Sequence, residues 1–307
     1  MALMARANDQ DDTIGVLPVP MGRRIELEGR GTTFVREVPG PPGAPTLVLL
    51  HGWIASGGMN WYQVFEPASR HFNVIAPDLR GHGRGIRSRR RFRLADCADD
   101  VAALLDVLEI DRAGGAGYSM GGPVSQLLWK RHASRVAGLV ECATSHAFVA
   151  GMRERLVFTT TMATLAGTTR AGQLAPVLPR SLARQFVPIA AGDRPDSLQR
   201  WAAAEVRRHD LRLLLEAGHA LGHYDARRWI GDIDVPTSVV VTARDRAVTP
   251  AQQAKMAFAI PDATIHRVED GHVACTSPEF VAPFLDACFD VALEAFPGWH
   301  PERRRHR

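Results

Sequence analysis

The chain has 307 residues, of which 46% are hydrophobic and 23% are charged, a composition typical of globular proteins. It excludes a disordered, collagen-like or coiled-coil chain, and the length suffices for a core that needs no disulfide or metal to hold it together. The formal net charge of +4 comes almost entirely from arginine, since Lys130 and Lys255 are the only lysines, and we expect no nucleic-acid partner from such usage.

The four cysteines stand far apart and form no C-x-x-C pair, which argues against a disulfide scaffold or a zinc finger and favours a reducing compartment. No stretch reaches the roughly 18 to 20 apolar residues that a membrane span requires. The first twenty residues also lack a basic head followed by an apolar run. We therefore expect a cytoplasmic protein without a membrane span or secretory signal.

Short β-favouring runs alternate with helical stretches along most of the chain. The predicted strands are residues 24–28, 32–38, 46–50, 72–76, 112–118, 136–141, 237–242 and 264–268. The predicted helices between and after them are residues 61–71, 94–108, 120–132, 250–259 and 278–296. This order predicts an α/β fold, a mostly parallel central sheet flanked by helices, with its ligand site at the carboxyl ends of the strands.

One long interval, between the strands at 136–141 and 237–242, contains no convincing strand. Its helix-like segments are residues 152–166, 181–186, 197–209 and 210–221. An all-helical insertion of this length predicts a cap over the site. We thus divide the chain into a flexible N-terminal extension (1–20), a core (21–145 and 230–298), a helical cap (146–229) and a basic tail (299–307).

The motif G-Y-S-M-G-G at residues 117–122 lies where a predicted buried strand meets a helix. A G-x-S-x-G sequence in that position predicts a strained turn that exposes the Ser119 hydroxyl above the sheet. A serine nucleophile needs a base and an acid that orients the base, and His272 and Asp245 each follow a predicted strand. The order Ser119, Asp245, His272 is the one expected for this kind of turn.

Further motifs are shared with a known family. L-H-G-W at residues 50–53 resembles an oxyanion loop, Trp61 matches a downstream tryptophan, and P-D-L-R-G-H-G at 77–83 is similar to a second signature. From about residue 46 to 289 the chain resembles the α/β-hydrolase fold family, most closely its enol-lactonase, cofactor-free haloperoxidase and meta-cleavage hydrolase branches. Serine at the turn argues against the branches whose nucleophile is an aspartate.

The resemblance and the chemistry together assign roles. Ser119 would attack a carbonyl, His272 would act as base and then acid, and Asp245 would orient the imidazole. Backbone N–H groups of Met120 and Trp53 would bind the oxyanion. Trp53, Tyr118 and Trp201 are candidate pocket residues, with other apolar cap side chains such as Phe158 and Met162. No metal and no cofactor are implied.

Other residues invite competing interpretations that we consider weaker. Asp270 could orient His272, but it lies too close in sequence to reach the ring. His219 and His223 have a metal-compatible i, i+4 spacing, yet no carboxylate stands between them, so packing is the preferred role. We expect Cys275 to be a small buried side chain, and His51 and His82 to form structural hydrogen bonds.

The sequence thus predicts a metal-free serine hydrolase that cleaves a small or medium carboxylic ester or lactone through an acyl-enzyme. Haloperoxidase or perhydrolase chemistry, C–C bond hydrolysis and acyl transfer use the same triad and remain alternatives, as does a ligand-sensing protein without turnover. The six arginines in residues 84–93 could steer anionic substrates or form a solvated basic surface, and the second is preferred.

Overall fold

The computed structural model describes residues 19–149, 152–174 and 198–301. Their strands form one eight-stranded sheet in the order β1-β2-β4-β3-β5-β6-β7-β8. The strands are β1 (Gly22–Leu27), β2 (Gly31–Val38), β3 (Thr46–Leu50), β4 (Asn73–Pro77), β5 (Ala113–Tyr118), β6 (Val136–Cys142), β7 (Thr237–Thr242) and β8 (Thr264–Val268). β2 is antiparallel to both β1 and β4, and all other pairs are parallel.

Nine α-helices lie in the described residues. They are α1 (Gly57–Trp61), α2 (Phe65–Ser69), α3 (Leu94–Val107), α4 (Gly121–Arg131), α5 (Met152–Leu174), α6 (Leu198–Arg207), α7 (Leu211–His223), α8 (Pro250–Ala259) and α9 (Val281–Ala295). The mostly parallel sheet flanked by helices confirms the predicted fold class. None of the helices in the described ranges is long and apolar enough to cross a membrane.

Each face of the sheet buries an apolar layer. Side chains of α3, α4 and α8 pack on one face, including Leu104, Val124 and Met256. Side chains of α1, α2 and α9 pack on the other, including Trp61 and Phe284. The central strands β5, β6 and β7 are buried along their whole length, and this is why the sequence shows them as continuous runs of apolar and small residues.

The helix predicted over residues 61–71 is wrong, because the structure has two short helices, α1 and α2, in that region. A single helix would have placed Pro67 in its interior, where the missing N–H and the ring break the hydrogen-bond ladder. Pro67 instead lies in the first turn of α2, where proline is tolerated. Ser56 caps the start of α1, where its hydroxyl accepts a hydrogen bond from the Met59 N–H, and Tyr62 follows the last residue of this helix.

Helices α5, α6 and α7 lie in the interval predicted as a cap. Ala147 and Asp225 form a β-bridge that joins the two ends of this interval, and the Ala226 N–H donates to the His146 carbonyl. The predicted helix over 181–186 lies outside the described residues, as do most of the predicted N-terminal extension and the last six residues of the predicted tail. The division into extension, core, cap and tail stays a prediction.

Candidate active site

Ser119 occupies the turn between β5 and α4 with a backbone φ of 51°, a left-handed conformation that is strained for a residue with a side chain. The surrounding chain holds it there. The Ser119 N–H donates to the Cys142 carbonyl at 2.9 Å, and the Thr144 hydroxyl donates to the Ser119 carbonyl at 2.7 Å. The side chain of Ser119 is therefore fixed at the carboxyl edge of the sheet.

Three glycines explain why the motif needs small neighbours at this turn. A Cβ atom at Gly117 would lie 2.5 Å from the Gly121 carbonyl oxygen. A Cβ at Gly121 would overlap the Leu50 carbonyl, and one at Gly122 would overlap the Thr144 side chain. Chain segments from β3, β5 and the end of β6 thus approach each other more closely than any larger residue permits.

The three residues proposed as a triad meet at this edge. Ser119 Oγ lies 3.0 Å from His272 Nε2, and His272 Nδ1 lies 2.7 Å from Asp245 Oδ2. The Asp245 side chain is fully buried, whereas 30% of the His272 side chain is exposed. The hydrogen-bonded chain therefore runs from the buried Asp245 carboxylate to Ser119. A ligand could approach Ser119 past the partly exposed His272.

Asp245 accepts hydrogen bonds on both carboxylate oxygens. Oδ1 receives the backbone N–H groups of Ala247 at 2.8 Å and Val248 at 2.9 Å, and Oδ2 also receives the Thr242 hydroxyl at 2.9 Å. Burial acts to raise the pKa of Asp245, but the hydrogen bonds from His272, the Val248 N–H and Thr242 outweigh it, so the pKa lies below its ordinary value. An ionised Asp245 requires the proton on His272 Nδ1, which leaves Nε2 as an acceptor for the Ser119 hydroxyl.

The loop after β3 passes beside Ser119. A Cβ atom on Gly52 would lie 3.4 Å from Ser119 Cβ, and the Gly52 N–H is already engaged with Asn60 Oδ1 at 2.9 Å. Within the described residues, the backbone N–H groups of Trp53 and Met120 make no backbone hydrogen bond in the turns and loops. The arrangement is compatible with the predicted oxyanion site, whose role stays a prediction.

The candidate pocket residues differ in their surroundings. The Trp53 ring packs edge-on against Phe158 of α5, and its Nε1–H donates to the Leu214 carbonyl of α7 at 2.9 Å. Tyr118 is buried, and its hydroxyl donates to the His272 carbonyl at 2.8 Å. Trp201 packs against Tyr62 in a small apolar cluster. Trp53 thus lies between the loop after β3 and helices α5 and α7, and the Tyr118 hydroxyl holds the backbone of His272.

The competing residues are placed elsewhere. The Asp270 carboxylate accepts from the Gly271 N–H at 2.6 Å, while the His272 ring reaches Asp245. Burial raises the pKa of the Cys275 thiol to about 12. His219 bonds the Thr159 carbonyl and His223 bonds the His219 carbonyl, and in the part of the chain that the structure describes no three His, Cys, Asp or Glu side chains are grouped to hold a metal.

The two signature-loop histidines make the structural hydrogen bonds expected of them. His51 Nε2 accepts from the Leu79 N–H at 2.8 Å, which ties the loop after β3 to the segment after β4. His82 Nδ1 lies 2.9 Å from the Arg80 carbonyl. Burial lowers the pKa of His51 to about 3, so that histidine is neutral.

Two residues near the site were missed by sequence reasoning. Thr144 fixes the Ser119 carbonyl, and Gln253 of α8 donates to the Thr242 hydroxyl at 2.8 Å and to the Val248 carbonyl at 2.7 Å. Thr144 lies just after a predicted strand end, which was a usable signal. Gln253 offered none, because its contacts depend on how α8 packs against β7.

The comparisons with known proteins agree with this geometry. A family model described as the alpha/beta hydrolase fold matches residues 45–277. The AB hydrolase superfamily protein YisY of Bacillus subtilis (strain 168) is 29% identical over 255 residues, which cover 76% of this chain and 85% of that protein.

Two other similar proteins carry more specific names. A pimeloyl-[acyl-carrier protein] methyl ester esterase of Chromobacterium violaceum is 32% identical over 225 residues, covering 72% of this chain and 84% of its own. The crystal structure of an enol-lactonase from Burkholderia xenovorans LB400 is 25% identical with a TM-score of 0.64, covering 86% of this chain and all of that one. The match over residues 45–277, together with the sheet order and the turn at Ser119, shows that the chain belongs to the α/β-hydrolase fold family.

Proposed function

We propose that this protein is a serine hydrolase that cleaves a small or medium carboxylic ester or lactone through an acyl-enzyme. The family and its esterase and lactonase relatives support a hydrolase. The observation that carries the finer proposal is the continuous hydrogen-bonded chain from Asp245 through His272 to Ser119.

The first half of the reaction forms the acyl-enzyme. Ser119 Oγ attacks the carbonyl carbon while its proton passes to His272 Nε2, and the carbonyl oxygen becomes an oxyanion that the N–H groups of Met120 and Trp53 stabilise. Collapse of this intermediate breaks the C–O bond, and the leaving oxygen takes the proton from His272. With a lactone, that alcohol remains attached to the acyl group.

The second half releases the acid. A water molecule attacks the acyl carbon and gives a proton to His272, and the new tetrahedral intermediate expels Ser119, which recovers its proton. Asp245 stays ionised throughout and stabilises the imidazolium that forms twice per turnover. The partly exposed His272 side chain, beside Ser119 at the carboxyl edge of the sheet, supports this sequence of steps.

The experiment combines a mechanism probe with turnover. A fluorophosphonate should label the wild-type protein once, on Ser119, and the wild-type protein should hydrolyse p-nitrophenyl esters or lactones of a test panel. Both the labelling and the hydrolysis should be lost in Ser119→Ala and in His272→Ala. Ser69→Ala, which removes a partly exposed serine on α2, is the matched control and should behave as wild type. Stoichiometric labelling of Ser119→Ala, or labelling without turnover on any substrate of the panel, would contradict the proposal.

A further inference from the structure

Asn60 of helix α1 contacts the loop that passes beside Ser119. The residue is buried, with 4% of its surface exposed, and its Oδ1 accepts a hydrogen bond from the Gly52 N–H at 2.9 Å. A Cβ atom on Gly52 would lie 3.4 Å from Asn60 Oδ1 and equally 3.4 Å from Ser119 Cβ. Asn60 and Ser119 therefore both border Gly52, the residue that precedes the proposed oxyanion donor Trp53.

The peptide group on the other side of Gly52 is also held. The Gly52 carbonyl oxygen lies 2.8 Å from His51 Nδ1. Because His51 Nε2 accepts the Leu79 N–H, the ring proton is on Nδ1 and is donated to that carbonyl. The Gly52–Trp53 peptide is trans, so its N–H points away from its C=O. The direction of the Gly52 carbonyl thus fixes the direction of the Trp53 N–H.

The two hydrogen bonds restrict a residue that is otherwise free to rotate. Glycine populates a wider range of φ and ψ than any other residue. Asn60 holds the peptide group before Gly52 and His51 holds the one after it, so neither angle can change without breaking a buried hydrogen bond. An oxyanion donor stabilises the transition state only when it is aimed before the reaction begins. We propose that Asn60 is a positioning residue that, through Gly52, aims the Trp53 N–H at the oxyanion. The inference rests on the proposed function, in which that N–H is a donor.

The helix that carries Asn60 is itself firmly anchored. The next residue, Trp61, is fully buried and packs against Phe284 of α9 on one face of the sheet. The Asn60 N–H donates to the Ser56 carbonyl at 3.0 Å, and the Ser56 hydroxyl donates to Glu205 Oε2 of α6 at 2.8 Å. Asn60 can therefore hold the loop in place, because its own position is set by packing and by hydrogen bonds.

A second asparagine makes the same kind of contact far from the site. Asn73 Oδ1 accepts the Gly40 N–H at 2.9 Å, and its Nδ2 donates to the Ala44 carbonyl at 2.7 Å. Asn73 begins β4 at the amino edge of the sheet, opposite to Ser119. Asn60 Nδ2, by contrast, is buried with no partner among the described residues, a cost to stability. We therefore expect Asn73 to stabilise the fold more than Asn60 does.

The test measures the second-order rate constant for labelling of the full chain by a fluorophosphonate. Ser119 Oγ forms a bond to phosphorus, fluoride leaves, the Ser119 proton passes to His272, and the phosphoryl oxygen takes the place of the oxyanion. Asn60→Ala should lower this rate constant by roughly tenfold to fiftyfold, less than the 10² to 10³ expected when a donor is removed outright. On a p-nitrophenyl ester kcat should fall by a similar factor while KM stays within about twofold, because the donor acts mainly in the transition state.

Asn73→Ala is the matched control, since it removes the same type of contact to a glycine N–H. It should keep labelling and kcat within about twofold of wild type, while its melting temperature falls further than that of Asn60→Ala. The serine hydroxyl of Asn60→Ser is one atom too short to reach the Gly52 N–H. That variant should reproduce the loss of labelling, and it tests the same contact if Asn60→Ala does not fold.

The outcomes separate this inference from the proposed function. Labelling at the wild-type rate in the folded Asn60 variants would overturn the positioning role, and so would an equal loss in Asn73→Ala. A wild-type protein that is labelled on Ser119 but hydrolyses no substrate would contradict the proposed function alone. The labelling rates would still decide the role of Asn60, because labelling needs no turnover.

Discussion

Two buried carboxylates on neighbouring strands lie in opposite electrostatic surroundings. Asp245 follows β7 and receives four close hydrogen bonds, two of them from backbone N–H groups and one from His272. Glu141 lies in β6, below the turn at Ser119, and its recorded contacts are the Ser125 hydroxyl at 2.6 Å and the Gln126 amide at 3.2 Å. Both side chains are shielded from water, so burial alone cannot distinguish them.

The contacts of Ser125 show how Glu141 is protonated. Ser125 Oγ lies 2.7 Å from the Gly122 carbonyl and 2.6 Å from Glu141 Oε1, yet the hydroxyl has one hydrogen to donate. A protonated Glu141 that donates to Ser125 Oγ, while Ser125 donates to Gly122, satisfies both contacts. Burial raises the pKa of Glu141 to about 8, against the smaller opposing effect of its bonds to Ser125 and Gln126.

Hydrogen-bond donors, more than depth of burial, therefore decide which carboxylate keeps its charge. Backbone N–H groups and a histidine favour the charged form of Asp245, whereas a hydroxyl and an amide do not suffice for Glu141. The two groups consequently affect stability with opposite signs. The lowered pKa of Asp245 gives stability that is present above about pH 3.9 and is lost as the pH falls through the folded value. The raised pKa of Glu141 makes stability fall as the pH rises from the unfolded value toward about 8.

The largest effect on kcat is expected at Asp245, the charged carboxylate of the two. Asp245→Asn keeps the shape but replaces the acceptor of the His272 proton, so the imidazole adopts the wrong tautomer. We expect kcat on a p-nitrophenyl ester to fall by about 10³ to 10⁴, with the melting temperature changed by only a few degrees.

Asp270→Asn is the control for that measurement, because Asp270 lies two residues from His272 but bonds the Gly271 N–H instead. Its rate should remain near that of the wild type. A large loss in Asp270→Asn with activity retained in Asp245→Asn would assign the orienting role to Asp270.

At the protonated carboxylate, Glu141→Gln should remove a pH dependence of the free energy of unfolding and leave kcat unchanged. A glutamine amide can donate to Ser125 as the protonated acid does. Between pH 5 and pH 7.5 the unfolded chain ionises Glu141 and the folded chain does not, which lowers the wild-type free energy of unfolding by about 3 kcal/mol over that range. Denaturant unfolding at a series of pH values should show this decline in the wild type and its loss in Glu141→Gln.

The matched control for this series is Glu26→Gln, which neutralises an exposed carboxylate on β1. Its pH profile should follow that of the wild type. Parallel profiles for wild type and Glu141→Gln would mean that Glu141 is ionised in the folded protein, and the contrast with Asp245 would disappear.

The sequence predicted Asp245 and did not predict the behaviour of Glu141, and the reason is physical. Parallel strands bring their carboxyl ends to one edge, so Ser119, Asp245 and His272 could be placed together from strand ends and their order alone. The central strands and α8 were predicted to within one or two residues, because buried runs and a Thr-Pro helix start carry strong local signals. The protonation of Glu141 depends on side chains of α4, and helix packing cannot be read from local pattern.

The same reason explains the other gaps. The break between α1 and α2 depends on how Pro67 competes with tertiary packing, and α5 continues beyond the predicted end at residue 166 as far as Leu174. The supporting contacts of Thr144 and Gln253 also join segments distant in sequence. The roles of Trp53, Tyr118 and Trp201 toward a substrate stay predictions.

A smaller effect on kcat is expected at Tyr118, which contacts the backbone of His272. The Tyr118 hydroxyl donates to the His272 carbonyl, so His272, whose ring contacts Asp245, is also held through its backbone. Tyr118→Phe should lower kcat by roughly fivefold to tenfold, because loss of one hydrogen bond weakens positioning by about 1 kcal/mol. Tyr62→Phe is the control, since the Tyr62 hydroxyl donates to the Thr276 carbonyl of the same segment at 3.1 Å. Equal rate losses in both variants would indicate general loosening of the segment and no specific positioning of His272.

The smallest effect on kcat is expected at Trp53, in the loop after β3. Its proposed catalytic group is the backbone N–H, which every substitution except proline retains, while its indole N–H holds α7 through the Leu214 carbonyl. Trp53→Phe should therefore change kcat on an acetate ester by no more than about twofold to threefold, while the loss of one hydrogen bond lowers the free energy of unfolding by about 1 kcal/mol. A series of p-nitrophenyl esters of increasing chain length should show a larger change in kcat for long acyl chains, because the Trp53 ring packs against Phe158 of α5. A loss of about 10³ on the acetate ester, the magnitude expected when an oxyanion donor is removed, would show that the indole itself takes part in the chemistry.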